Sequence, residues 1–281
     1  MYYETDIRKF WKVISPPIYY FLVNVLATYV FSFIYISSRL SAFTDQGKIL
    51  TADNYSEFSK AVQDAVLNQS LLITCVAAIA TLLLYFVKYR KNIQIDVEMQ
   101  KVNISFGYAA LLGMMASVSL SRLLSLLPID NLFGNYAEVQ NTLFGGNIFM
   151  EILTLAIIVP VLEEILFRGL VYGRMSRYSG RRAAAVISSI IFGIYHMNLL
   201  QGIYAFILGM LLVFVYEKYQ SIMAPVILHA FANGFSIFLF YTDISNKISS
   251  NLYSYIIFML VEAAIALWMI KIIQTKFKKL V

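Results

Sequence analysis

Charge is scarce in this chain. Only 14% of its 281 residues are Asp, Glu, Lys or Arg, whereas soluble domains carry about a quarter. Hydrophobic residues make up 60%, and uncharged runs of twenty or more recur. Because roughly twenty apolar residues cross a bilayer as a helix, this composition excludes an ordinary soluble domain and predicts an integral membrane protein.

Cysteine and histidine are almost absent. Cys75 is the only cysteine, which excludes an internal disulfide. The two histidines, His196 and His229, lie in long apolar stretches, and so does the carboxylate pair Glu163 and Glu164. Ionisable side chains inside a membrane are costly and are usually functional. The sequence therefore predicts a polar site built within the bilayer.

Apolar blocks separated by charges and turn residues indicate the spans. There are seven, at about 16–38, 67–87, 104–127, 148–169, 183–216, 223–242 and 251–273. The 34 residues of block 183–216 would form a helix of about 51 Å, too long for a hydrocarbon core of about 30 Å. Asn198, Gln201 and Gly202 at its middle predict a break into two short helices. We therefore predict an all-α polytopic membrane protein with about eight transmembrane helices, forming a single integral membrane domain over residues 1–281.

Basic residues fall mostly on one side of this topology. Seventeen of the 22 Lys and Arg belong to one face and four to the other, with Arg122 near a helix end. The positive-inside rule then predicts that both termini are cytoplasmic. These cations account for the net charge of +6 without a nucleic-acid partner, and the partner that they imply is the lipid bilayer.

The first of three polar motifs is VPVLEEILFRG at 159–169. Pro160 removes a backbone hydrogen bond inside an apolar helix and predicts a kink that admits water. Glu164 and Arg168 are four residues apart and share a helix face, so they can pair, whereas Glu163 points about 100° away. The alternative is that both glutamates are structural partners of Arg168 and the arginines that follow.

The other two motifs carry the histidines. In FGIYH at 192–196, Phe192 lies one turn before His196, and in HAFAN at 229–233, His229 and Asn233 are four residues apart. Each motif alone has an ordinary explanation, because buried histidines are often structural and polar side chains often join helices in membranes. The three motifs together favour a catalytic site.

The ordered set Glu-Glu-x-x-x-Arg, Phe-x-x-x-His and His-x-x-x-Asn resembles the motifs of the CPBP family, the CAAX proteases and bacteriocin-processing enzymes, which includes the type II CAAX prenyl endopeptidases. The resemblance covers roughly residues 145–240, which would be the catalytic core. It implies an intramembrane endopeptidase that hydrolyses a peptide bond of a membrane-associated peptide or protein. A multi-pass protein of a bacterial plasma membrane is expected.

The resemblance also implies roles for individual residues. Glu163 and His196 match the pair that activates a water, and His229 and Asn233 match the pair that holds the developing oxyanion. Such chemistry is physically sensible, because a carboxylate and an imidazole can share the water's proton and aimed donors stabilise an oxyanion. Glu164, Arg168 and Phe192 would support them.

Two questions stay open at the level of sequence. Zinc held by Glu163, His196 and His229 is the alternative to a site without a cofactor, which we favour because Glu163 with His196 already accounts for water activation. Glu262, in the middle of the last span, is either protonated or paired with Arg122.

Two other functions compete with proteolysis. A scaffold or regulator would bind a partner, such as a sensor kinase or transporter, without cleaving it. A proton-coupled transporter is disfavoured because the sequence shows no inverted repeat.

Overall fold

The computed structural model describes residues 5–45, 51–89, 105–126, 144–242, 244 and 251–277. Every regular element in those ranges is a helix, which confirms the all-α class. The α-helices are α1 (Asp6–Asp45), α2 (Ala52–Asn68), α3 (Ser70–Tyr89), α4 (Phe106–Ser125), α5 (Ile148–Glu151), α6 (Val159–Glu164), α7 (Gly173–Ser179), α8 (Arg181–Tyr195), α9 (Leu199–Tyr219), α10 (Met223–Tyr241) and α11 (Leu252–Lys276).

Six of these helices are long and apolar enough to cross a membrane by length and composition, namely α1, α3, α4, α9, α10 and α11. Their outward surfaces carry large apolar side chains, such as Phe33, Val87 and Trp268, which are 72%, 82% and 61% exposed. Such surfaces suit lipid rather than water. The predicted polytopic membrane protein is confirmed.

A seventh helical unit, which we call the motif helix, runs through residues 148–179. It joins α5, α6 and α7 through two π-helical stretches, Ile152–Ile158 and Ile165–Tyr172. With the shorter α8, these units correspond one for one to the eight predicted helices.

The long apolar block breaks where Asn198 predicts it. Helix α8 ends at Tyr195, Met197 adopts a positive φ of 57°, and the Asn198 side chain caps α9 by accepting from the backbone N–H of Gln201 at 3.0 Å. The 15 residues of α8 extend about 22 Å, whereas the 21 residues of α9 are enough to span the core. The predicted break is confirmed, but only its first half is a short helix.

The described chain divides into two compact units, residues 1–17 with 89–281 and residues 18–88. In the smaller unit, the Asn54 side chain accepts from the N–H of Thr51 at the start of α2, which leads into α3. In the larger unit, α4 packs against α10 and α11, and α8 packs against α9. The single membrane domain and its core at 145–240 stay predictions, with the core inside the larger unit.

Membrane orientation also stays a prediction. It depends on the distribution of basic residues, and seven of these lie outside the described residues: Lys48, Arg90, Lys91, Lys101, Lys247, Lys278 and Lys279.

Glu262 is paired in the larger unit. Its Oε2 lies 3.1 Å from Nε of Arg122, and the two side chains are 13% and 5% exposed. The Tyr255 hydroxyl donates to the Arg122 carbonyl at 3.1 Å. Of the two alternatives for Glu262, the structure therefore contains the contact with Arg122, which joins α4 to α11.

Candidate active site

The motif helix changes its winding on both sides of the two glutamates. The stretch Ile152–Ile158 is π-helical, Pro160 falls in the first turn of α6, and the second π-helical stretch begins directly after Glu164. Short π-helical segments inside α-helices are frequent at functional sites. The kink expected at Pro160 stays a prediction, and the feature that the structure contains there is the π-helical stretch directly before the proline.

Glu164 lies at the centre of a buried polar cluster. Its Oε1 accepts from Nη1 of Arg168 at 2.9 Å, and Nδ1 of His229 lies 2.8 Å from the same oxygen. A second guanidinium nitrogen, Nη2, donates to the Gly209 carbonyl of α9 at 3.2 Å. Because a buried charge is tolerated only when it is paired and hydrogen-bonded, this one carboxylate ties the motif helix to α10 and, through Arg168, to α9.

The Phe192 ring packs at the middle of the same cluster. The guanidinium of Arg168 lies over this ring, 4.6 Å from its centroid. The imidazoles of His196 and His229 meet the ring nearly at right angles, with centroids 4.9 and 5.9 Å away. Phe192 is only 1% exposed, and both imidazoles contact its ring.

Glu163 faces His229 without a direct hydrogen bond. Its Oε2 lies 3.9 Å from Nε2 of His229, which is beyond hydrogen-bonding distance. Glu163 is 6% exposed and His229 4%, so their interaction takes place largely out of water.

His196 has a defined orientation. Its Nδ1 lies 2.9 Å from the Phe192 carbonyl oxygen, one turn earlier in α8. A carbonyl only accepts, so Nδ1 carries the proton of the neutral ring and Nε2 carries the lone pair. His196 is therefore prepared to accept a proton at Nε2, and unlike His229 it is only partly buried.

Asn233 joins two helices. Its Nδ2 donates to the Leu155 carbonyl in the first π-helical stretch at 2.8 Å. This is the interhelical bond that the HAFAN spacing allowed as an alternative to an oxyanion role. The amide has two donor hydrogens, so one bond does not use up its capacity.

Two glycines allow the helices around the site to approach closely. A Cβ on Gly113 of α4 would overlap the carbonyl oxygen of Leu228, the residue before His229. A Cβ on Gly193 would lie 2.6 Å from the Gly202 carbonyl oxygen, where α8 crosses α9. Both histidines therefore lie beside helix contacts that are too close for any residue larger than glycine.

No group of three His, Cys, Asp or Glu side chains is arranged to hold a metal ion within the described ranges. Glu163 and His229 approach each other, but Nδ1 of His229 faces Glu164 and Nδ1 of His196 faces a carbonyl. The residues named for the zinc alternative do not form a ligand set in this arrangement.

The cluster contains contacts that the sequence did not predict. The pairing of Glu164 with Arg168 follows from their spacing, but the contacts of Glu164 with His229 and of Arg168 with Gly209 do not. They join residues 65 and 41 positions apart. Only the requirement that a buried carboxylate and guanidinium satisfy all their hydrogen bonds could have pointed to further partners.

The fold and the cluster define a helical membrane protein with a buried glutamate, histidine and arginine site. Residues 145–235 match the family model described as type II CAAX prenyl endopeptidase Rce1-like. The resemblance to the CAAX proteases predicted from the three motifs is confirmed, and the match covers all three of them.

Two bacterial proteins are similar to this chain. It is 31% identical to the membrane peptidase YdiL of Bacillus subtilis over 90 residues. These residues make up 32% of this chain and 37% of that protein. It is 26% identical to the membrane-embedded CAAX protease MroQ of Staphylococcus aureus over 181 residues. These residues make up 61% of this chain and 72% of that protein. The match to YdiL thus spans little more than a third of that relative. No solved structure matches the chain.

Proposed function

We propose that this chain is an intramembrane endopeptidase of a bacterial cell membrane that hydrolyses a peptide bond in a membrane-associated peptide or protein. The observation that carries the proposal is the meeting of His196 and His229 on the Phe192 ring, with Oε2 of Glu163 3.9 Å from Nε2 of His229. The family match over 145–235 and the two bacterial relatives support it.

Water activation falls to Glu163 and His196. Neither Glu163 oxygen is engaged by Arg168, which pairs with Glu164 instead, and Nε2 of His196 has a lone pair. As the water oxygen adds to the peptide carbonyl carbon, these groups take its proton and later return it to the leaving amine when the C–N bond breaks. A well-placed base of this kind contributes roughly 10² to 10⁴ in rate.

Oxyanion stabilisation falls to His229, with Asn233 beside it. Glu164 accepts from Nδ1 of His229 and thereby aims Nε2 toward Glu163, where a substrate carbonyl would be attacked. A protonated Nε2 can donate to the oxyanion, and the carboxylate pair stabilises the resulting imidazolium. Asn233 would donate its second amide hydrogen or hold α10 in place through Leu155.

The test compares membrane peptides from cells that produce the wild-type chain or Glu163→Gln. This change keeps the shape of the side chain but removes the base, so new peptide termini should disappear, with a loss of about a hundredfold or more. His196→Ala should give the same loss, and protein levels should stay near wild type. Glu57→Gln, an exposed change in α2, is the matched control and should leave cleavage intact.

Retention of every cleavage in both Glu163→Gln and His196→Ala would contradict the proposal. A cellular phenotype that survives both changes would instead favour the scaffold alternative, because a scaffold needs the fold and not the base.

A further inference from the structure

Three polar contacts cross the seam between the motif helix and α10. Nδ1 of His229 meets Glu164 at 2.8 Å, Asn233 donates to the Leu155 carbonyl at 2.8 Å, and the Tyr241 hydroxyl donates to Oε1 of Glu151 at 2.9 Å. The two helices run in opposite directions, so the contacts follow one another from the site to the far end of α10.

The third contact has no part in the proposed hydrolysis. Glu151 is fully buried and lies twelve residues before Glu163, about 18 Å along an α-helix. Its Oε1 also accepts from the backbone N–H of Gly146 at 2.8 Å. A carboxylate buried in a membrane protein is costly and needs a reason.

The motif helix carries buried polar atoms that have no protein partner. Among the described residues they include Oε2 of Glu151, Oγ1 of Thr154 and Oε2 of Glu164. Glu151, Thr154 and Glu164 are each 0% exposed. Buried polar groups in proteins are almost always satisfied, and ordered water is the usual partner where protein atoms do not supply one.

We propose that the seam between the motif helix and α10 binds a file of water molecules, which enters beside Glu151 and Tyr241 and reaches Glu163 and Glu164. Thr154 lies between the outer and middle contacts and would bind water through its hydroxyl. The path would deliver the hydrolytic water from the end of the motif helix that carries Glu151, and this purpose rests on the proposed function. The π-helical stretch Ile152–Ile158 forms one wall of it.

Cysteine reactivity tests the path, because a thiol reacts as the thiolate and therefore needs water. In a Cys75→Ala background, Thr154→Cys and Ile157→Cys are exposed to a small, positively charged methanethiosulfonate reagent in membrane vesicles. Ile157 is the matched control, since it lies three residues further along the helix and is 51% exposed where Thr154 is 0%. Intact mass measures the modified fraction.

A water file reverses the order of reactivity that exposure alone would give. Thr154→Cys should be modified about tenfold faster than Ile157→Cys, whose thiol faces lipid. Adding Tyr241→Phe removes the hydroxyl beside the entrance and should speed modification of Thr154→Cys further. Equal reactivity at the two positions, whether both react or neither does, or faster reaction at Ile157→Cys, overturns the proposal, and no effect of Tyr241→Phe overturns the entrance beside Tyr241.

The labelling needs no substrate. A dry seam would overturn the water path and leave the roles of Glu163 and His196 untouched. Cleavage that survives Glu163→Gln would overturn the proposed function and leave the labelling result as it is.

Discussion

Glu164 and His229 are 65 residues apart in the chain and 2.8 Å apart in the folded protein. The same Glu164 oxygen also accepts from Arg168. The second glutamate of the motif is therefore more than a counterion for arginine, because it also fixes which nitrogen of His229 carries a proton and where the ring points.

Glu164→Gln should impair both folding and catalysis. Breaking a buried ion pair leaves Arg168 uncompensated, which costs on the order of 3 kcal/mol. His229 loses the carboxylate that orients it, so cleavage by the folded fraction should fall on the order of a hundredfold. Thermal unfolding in detergent and a cleavage assay per folded molecule separate the two effects. Glu163→Gln should lose cleavage with near wild-type stability, and the reverse pattern in the two variants would refute their assignment.

Gly113→Ala should displace His229. The new methyl group would overlap the Leu228 carbonyl, so α4 and α10 must separate, at a cost of about 1 to 3 kcal/mol. Gly107→Ala is the matched control on the same helix, because a Cβ there meets nothing within 4 Å. Since alanine favours a helix over glycine by up to about 1 kcal/mol, Gly107→Ala should keep or raise the unfolding temperature. Equal effects of the two changes would show that the close approach is unimportant.

The Arg122 and Glu262 pair should show coupling in a double-mutant cycle. Either Arg122→Met or Glu262→Leu alone leaves a charge in an apolar setting and should lower stability by about 2 kcal/mol. The double variant should be closer to wild type than either single one, because no charge is then left unpaired. The exposed pair of Lys9 with Asp6 provides the control, and Asp6→Asn should change stability little. Additive losses would mean that the two side chains act independently.

Metal dependence can be measured directly. If Glu163 and His196 activate water unaided, protein purified without added metal should hold far less than one zinc per chain, and a strong chelator should leave cleavage intact. Activity that is lost on chelation and restored by zinc, together with stoichiometric zinc, would reverse this expectation and require the side chains to rearrange around the ion.

Local patterns in the sequence predicted the elements well. Apolar runs gave the spans, the polar residues after His196 gave the break between α8 and α9, and the spacing of Glu164 and Arg168 gave their pairing. Each of these features depends on residues within about one helix turn or one helix length, so helical periodicity is enough to reveal it.

The rest of the site depends on which helices become neighbours. The approach of His229 to Glu164, the Gly209 carbonyl that accepts from Arg168, and the bond from Asn233 to Leu155 all cross between helices. Contacts of this kind are set by packing, and no spacing within one helix encodes them. The π-helical winding was missed for a related reason, since an apolar run such as ILTLAII is compatible with more than one helix type.

The π-helical stretch Ile152–Ile158 also changes the direction in which later side chains of the motif helix point. In a uniform α-helix, twelve residues at about 100° each would turn Glu163 roughly 120° away from Glu151. A π-helical turn takes in one extra residue, so the two carboxylates are separated by the rotation of about eleven residues, a net offset of roughly 20°. The extra residue therefore brings Glu151 and Glu163 to the same side of the motif helix. Both carboxylates then face α10, at Tyr241 and His229 respectively. In an uninterrupted α-helix of this length they would point in different directions.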